Sequence, residues 1–218
     1  MAESPPGLEE LVAARTERGL LWQAAGCFGC LGLIAGVFVL MALGITGADR
    51  VTFTEPAAVE ENLQAIVACR VPEGYRGFRG LDKGGRRIAM ITPHTHSGLR
   101  VPVAGRLTIA VWTLAPGTSR QAAEAELLAY WREKLSEHYG PGVEVPAPKE
   151  VQGLTLKVRG AALPAREWQF VRGEEHVRLL AAFVPRAPGG EEEVAVAGIG
   201  NMERFDQAAL DAFLESIK

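Results

Sequence analysis

The stretch LTLKVRGAALPAREWQFVRGEEHVRLLAAFVPRAPGGEEEVAVAGI, residues 154–199, decides the fold. Its runs at 154–158, 167–171, 177–184 and 194–199 are rich in β-branched, aromatic and other apolar residues and read as strands. Gly173 and the Pro- and Gly-bearing stretch 185–190 supply turns between the last three. Connections this short join antiparallel neighbours, because a parallel pair needs a crossover of roughly a dozen residues or more. This half of the chain is therefore expected to be a set of antiparallel hairpins.

Working outward, the chain closes with a helix. Asp206 stands where an N-cap belongs, and Ala209, Leu210, Phe213, Leu214 and Ile217 form one apolar stripe. On the N-terminal side, Thr118 and Gln121 fit a capping box. Ala123, Leu127, Tyr130, Trp131, Leu135 and His138 then recur near helical spacing until Gly140-Pro141. Before that helix, 107–114 (LTIAVWTL) is the strongest strand signal of the chain, and 86–92 reads as another, entered through Gly84-Gly85. Residues 63–69 form an apolar run ahead of the turn signal Val71-Pro72-Glu73-Gly74-Tyr75, and 51–53 alternates as a strand does. Strands, a long helix, hairpins and a closing helix predict an α+β domain over 49–218, a central antiparallel sheet flanked by helices.

A different physics governs 20–46. From Leu20 to Ile45 no residue is charged, and Gln23 is the only strongly polar side chain. A bilayer span needs about 20 such residues, so the stretch predicts a single transmembrane helix, with Trp22 near one interface. A cleaved signal peptide has a shorter apolar core behind a positive segment; here residues 1–19 carry four Glu. Arg15 and Arg18 precede the helix and Arg50 follows it, which predicts a cytoplasmic N-terminus and an exported C-terminal domain, periplasmic or extracellular. Gly32 and Gly36 form a G-x-x-x-G ridge suited to a homodimer. Cys27 and Cys30 have redox spacing, but hydrocarbon disfavours thiolates, and they read as small apolar residues.

Lys and Arg number 23 against 26 Asp and Glu, and neither half of the chain has a basic excess, so nucleic acid is not an expected partner. Cys69 is the one cysteine beyond the apolar segment and cannot make a disulfide within the domain.

Three places carry a resemblance to the PsbP-like family, named for an extrinsic subunit of photosystem II. They are Val71 to Tyr75, similar to the family's P-x-G-aromatic turn; Gly160 to Ala165 leading into Arg166-Glu167-Trp168; and Phe205-Asp206 through Phe213 to Ile217. The resemblance covers most of 60–218, while the glycine-rich stretch 74–106 departs from it. It implies an α/β/α sandwich and an accessory or binding role without a shared catalytic motif.

Candidate chemistry is sparse. His94 and His96 are the metal candidates, since H-x-H on a strand places both rings on one face; Pro93, Ser97 and Gly98 put them in a loop instead. His138 and His176 lie far off in sequence. No nucleophile elbow surrounds Ser97, Ser119, Ser136 or Ser216. Gly198 and Gly200 lack the third glycine of a phosphate loop. Glu191 to Glu193 read as a solvated rim, and Trp112, Trp131 and Trp168 as core. The expected function is a membrane-anchored accessory or protein-interaction module, non-catalytic and without a cofactor. The alternative is a small-ligand or metal-binding protein using a pocket near His94 and His96.

Overall fold

Strands β4 (Thr108–Thr113) and β8 (Glu193–Asn201) pair at the middle of an eight-stranded sheet. Outward on one side lie β3 (Arg86–Pro93), β2 (Tyr75–Lys83) and β1 (Arg50–Phe53). On the other lie β7 (Glu175–Pro185), β6 (Ala161–Arg172) and β5 (Lys149–Val158). Every neighbouring pair is antiparallel. Among the described residues three α-helices, α1 (Pro56–Ile66), α2 (Arg120–Tyr139) and α3 (Gln207–Ser216), and a 3-10 turn at Met202–Arg204 complete the domain. This computed structural model describes residues 50–83, 86–187 and 192–218. The expected membrane helix over 20–46, with Gly32, Gly36, Cys27 and Cys30, lies outside the described residues, as do 1–19 and Gly84-Gly85. Among the described residues no helix is long and apolar enough to cross a membrane.

The sheet separates two cores, and the period-2 alternation of its strands feeds both. Ile109 and Val111 of β4 join Leu180, Ala182 and Val184 of β7 on the face covered by α1 and α3. Ala110 and Trp112 join Leu179, Ala181 and Phe183 on the face covered by α2. A strand buried on both faces has little room for polar residues, which is why 107–114, 177–184 and 194–199 are so plain in sequence. The buried α3 stripe of Leu210, Phe213 and Leu214 contributes roughly 1.5–3 kcal/mol per large side chain.

The N-terminal part differs from expectation. The run at 63–69 is not a strand; Val59, Leu63 and Ile66 share one face of α1 and are buried against the sheet. Pro56 starts that helix at a position where its missing N–H costs nothing. The helix lies so close to β2 that a Cβ on Gly77 would stand 2.4 Å from the Pro56 carbonyl oxygen and 2.8 Å from Val59 Cβ. Strand β2 itself was not foreseen. Strand β5 begins at Lys149 and β6 at Ala161, each well before the apolar run that marked it. The cap of α2 is Ser119, whose Oγ accepts from Ala122 N at 3.2 Å, rather than Thr118.

Helix α2 buries Ala123, Leu127, Trp131 and Leu135, a ridge one residue wide. Eight strands spaced about 4.8 Å apart make a sheet roughly 34 Å across, and a helix is only about 10–12 Å thick. One helix cannot cover that face. Val101 and Val103, from the segment joining β3 to β4, cover a further part. Grooves remain on both sides of α2.

Candidate functional site

One groove, of about 440 Å³, opens over β2, β3 and β4. The strand register builds its floor from two cross-strand rows. Thr52, Leu81, Ile88 and Trp112 stand side by side in one, and Arg79, Met90 and Ala110 in the other. Leu127, Tyr130 and Lys134 of α2 form the wall, with Glu126 and Glu133 at the rim. Its apolar part comes from Ile88, Met90, Ala110 and Trp112, on the α2-facing side of β3 and β4.

Arg79 enters this groove through a β-bulge. Gly77 pairs with Ile91 and Arg79 with Met90, so Phe78 is the extra residue. A bulge of this kind re-aims the side chain that follows it. Here it brings Phe78 and Arg79 to the same face, between Gly77 and Gly80 on the other. Arg79 Nη2 donates to the Leu99 carbonyl at 2.8 Å, and the guanidinium lies 5.6 Å from the Phe78 ring centroid. Its Nε is buried and makes no hydrogen bond.

The other charges of the groove are already spoken for. Arg86 pairs with Glu126, and Lys134 with Glu133 at 3.3 Å and with Glu137. Among the described residues lining the groove, Arg79 is the cation without a carboxylate partner. Burial pushes the Tyr130 phenol above its ordinary range, against the opposing pull of the Arg79 charge, so it stays a neutral donor. Its hydroxyl lies 3.8 Å from Met90 Sδ.

A second groove, of about 840 Å³, lies over β5, β6 and β7 on the far side of α2. Arg166 spans it, 3.1 Å from Glu124 and 3.2 Å from Glu150, and Arg120 pairs with Glu193. Its charges satisfy one another.

The residues singled out from sequence are dispersed. His94 and His96 lie in the loop after β3, as their flanks implied. His94 Nε2 donates to the Tyr75 carbonyl at 2.6 Å, and His96 Nε2 to the Arg100 carbonyl at 3.0 Å. His96 also packs edge-on against Phe78, 5.2 Å between centroids. His138 is 3.7 Å from Glu175. Among the described residues no three His, Cys, Asp or Glu side chains gather as metal ligands. Ser119 is a helix cap, and Ser216 Oγ accepts from Arg70 N at 2.9 Å. Gly200 admits the Arg106 backbone, whose carbonyl oxygen would be 2.7 Å from a Cβ there, and holds no phosphate loop. Glu192 and Glu193 are in ion pairs with Arg186 and Arg120. Trp131 and Trp168 are core; Trp112 is core and groove floor at once.

The opposite face holds a polar cluster that the sequence reading did not find. Glu167 of β6 is 5% exposed. It accepts from Arg178 Nη2 at 2.8 Å and Gln169 Nε2 at 3.1 Å. Arg178 Nη1 continues to Gln207 Oε1 of α3 at 3.1 Å. Burial would raise the Glu167 pKa, but the hydrogen bonds from Arg178 and Gln169 and the arginine charge outweigh it and hold the carboxyl below its usual range. The cluster fastens α3 to the sheet.

No protein-family profile and no curated protein matches the chain. Among solved structures it is similar to LpqN, involved in cell envelope biogenesis of Mycobacterium tuberculosis, with a TM-score of 0.28 and 7% identity. That match covers 77% of this chain and 82% of the other.

Proposed function

We propose that the chain is a membrane-tethered accessory module that binds a small ligand in the α2 groove and carries out no catalytic step. The observation that carries this reading is the groove itself. Its 440 Å³ falls within the roughly 300–1,000 Å³ of small-molecule sites, and it combines an apolar floor with one cation lacking a carboxylate partner. A broad protein-docking face has less support, since Leu99 and Met202 are the large apolar side chains exposed among the described residues. The non-catalytic reading rests on how the candidate groups are used: the two loop histidines donate to backbone carbonyls, and Ser119 and Ser216 bond to backbone.

The tether is the uncharged helix at 20–46, with the domain on the exported side and self-association through Gly32 and Gly36. The three-layer order of helices and sheet agrees with the PsbP-like resemblance, which favours an accessory role. A photocrosslinking amino acid at Ile88 or Glu133, in native membranes, tests the site against the same probe at exposed Ala212 on α3. Small-molecule adducts at 88 and 133 but not at 212 are expected. Adducts at 212 alone, or none at any of the three, would refute the groove.

A further inference from the structure

We infer that the ligand of this groove is an amphipathic anion, an alkyl or acyl chain ending in one carboxylate or phosphate, with Arg79 as the group that selects its head. The inference rests on the groove being the binding site and adds its chemistry.

The charges of the lining decide the sign. Arg86 and Lys134 are each held by glutamates, so neither offers an uncompensated field. Arg79 has only the Leu99 carbonyl and the Phe78 ring, and its buried Nε has no acceptor at all. A guanidinium presents parallel N–H groups that match the two oxygens of a carboxylate or phosphate. A cationic ligand head would face Arg79 and find Glu126 and Glu133 already engaged.

The shape decides the rest. Arg79 stands at the β2 end of a row that continues through Met90 to Ala110. Beside it runs the row ending at Ile88 and Trp112, with Leu127 overhead. The Met90–Ala110 row is packed under α2, so a head bound at Arg79 lays its apolar tail along Leu81 and Ile88, the partly exposed apolar side chains of the floor.

The test uses the 218-residue chain in phosphatidylcholine nanodiscs and titration calorimetry, with empty nanodiscs as blank. The probes are octanoate, octyl phosphate, octanol and octylamine. The wild-type protein should bind at least one of the two anions tenfold or more tighter than octanol, about 1.4 kcal/mol, and should bind octylamine no better than octanol. Whichever anion binds more tightly distinguishes a carboxylate from a phosphate head. Arg79→Gln should abolish the preference while leaving octanol binding, and Arg79→Lys should restore part of it. Equal binding of octanol and both anions by the wild type would overturn the anion inference and leave the groove standing; a preference for octylamine would also overturn it. Binding of no probe would overturn it too, with the photocrosslinks deciding the groove independently. These wild-type comparisons hold even where the Arg79→Gln protein fails to fold.

Discussion

Replacing Arg178 by methionine should destabilise the domain in a way that depends on pH. The substitution leaves the Glu167 carboxylate, 5% exposed, with Gln169 as its remaining side-chain donor. Breaking a buried ion pair from one side costs roughly 3–5 kcal/mol. The Arg178 side chain keeps 24% of its exposure, so water reaches the site and the low end applies, about 3 kcal/mol. For a domain of this size, each kcal/mol lowers Tm by about 2–4 °C, giving a fall of roughly 6–12 °C near pH 7.

The sign of the pH effect follows from the Glu167 carboxyl. Its pKa in the folded protein lies below the ordinary 4.5. The pair therefore contributes fully above that ordinary value, and its contribution is lost as the pH falls through the folded-state pKa. In the variant, burial acts without the arginine and raises the affinity of Glu167 for a proton. Mild acid then neutralises the stranded charge. Thermal unfolding of the wild type and Arg178→Met, followed by circular dichroism, should show a gap that is widest near pH 7 and narrower near pH 4. A gap of constant size across that range, or one below about 2 °C at neutral pH, would refute the reasoning. The double variant Glu167→Met with Arg178→Met should recover most of the loss, because a packed apolar pair replaces the charges.

Two other substitutions or labels probe the rest of the domain. Gly77→Ala drives a Cβ against the Pro56 carbonyl oxygen, a backbone atom that cannot swing aside; urea unfolding should show a loss of about 1–3 kcal/mol, and an unchanged midpoint would contradict the close α1–β2 packing. Burial pushes the Cys69 thiol up to about 12, so peptide mass spectrometry should find it unalkylated in the folded chain at pH 8 and rapidly modified in denaturant. Labelling of the folded chain at the rate of an exposed cysteine would contradict this.

What was legible in the sequence followed from how completely each element is buried. Strands β3, β4, β7 and β8 lie in or beside the doubly covered centre, and their apolar runs announce them. Helix α3 is marked by Asp206, whose side chain accepts from Ala209 N at 3.1 Å, and by a stripe facing one core. Strand β2 carries Arg76, Arg79, Asp82 and two glycines, so neither alternation nor an apolar run survives in it. Helix α1 is short, and its last apolar residues run on into buried Val67 and Cys69, which imitates a strand. The groove escaped for a related reason. Arg79 reaches it through the extra residue Phe78, and a bulge shifts the side-chain period without leaving a motif. The Glu167–Arg178 pair joins two strands whose register no local pattern prints. The contacts of His94 and His96 with the Tyr75 and Arg100 carbonyls depend on the fold and leave no mark in the H-x-H spacing.

The α2 groove is proposed to hold a small ligand, and the occupancy of Ile88's surroundings tests this most directly. Ile88 is partly exposed on the groove floor, so Ile88→Trp would fill that space without enlarging the core. The direct measurement is mass spectrometry of organic extracts from the 218-residue chain and from Ile88→Trp, both purified from their own membranes in mild detergent. A small amphipathic anion present in near-equimolar amount with the wild type and absent from a folded Ile88→Trp protein is the predicted result. Identical extracts from the two proteins, or no bound molecule in the wild type, would contradict it.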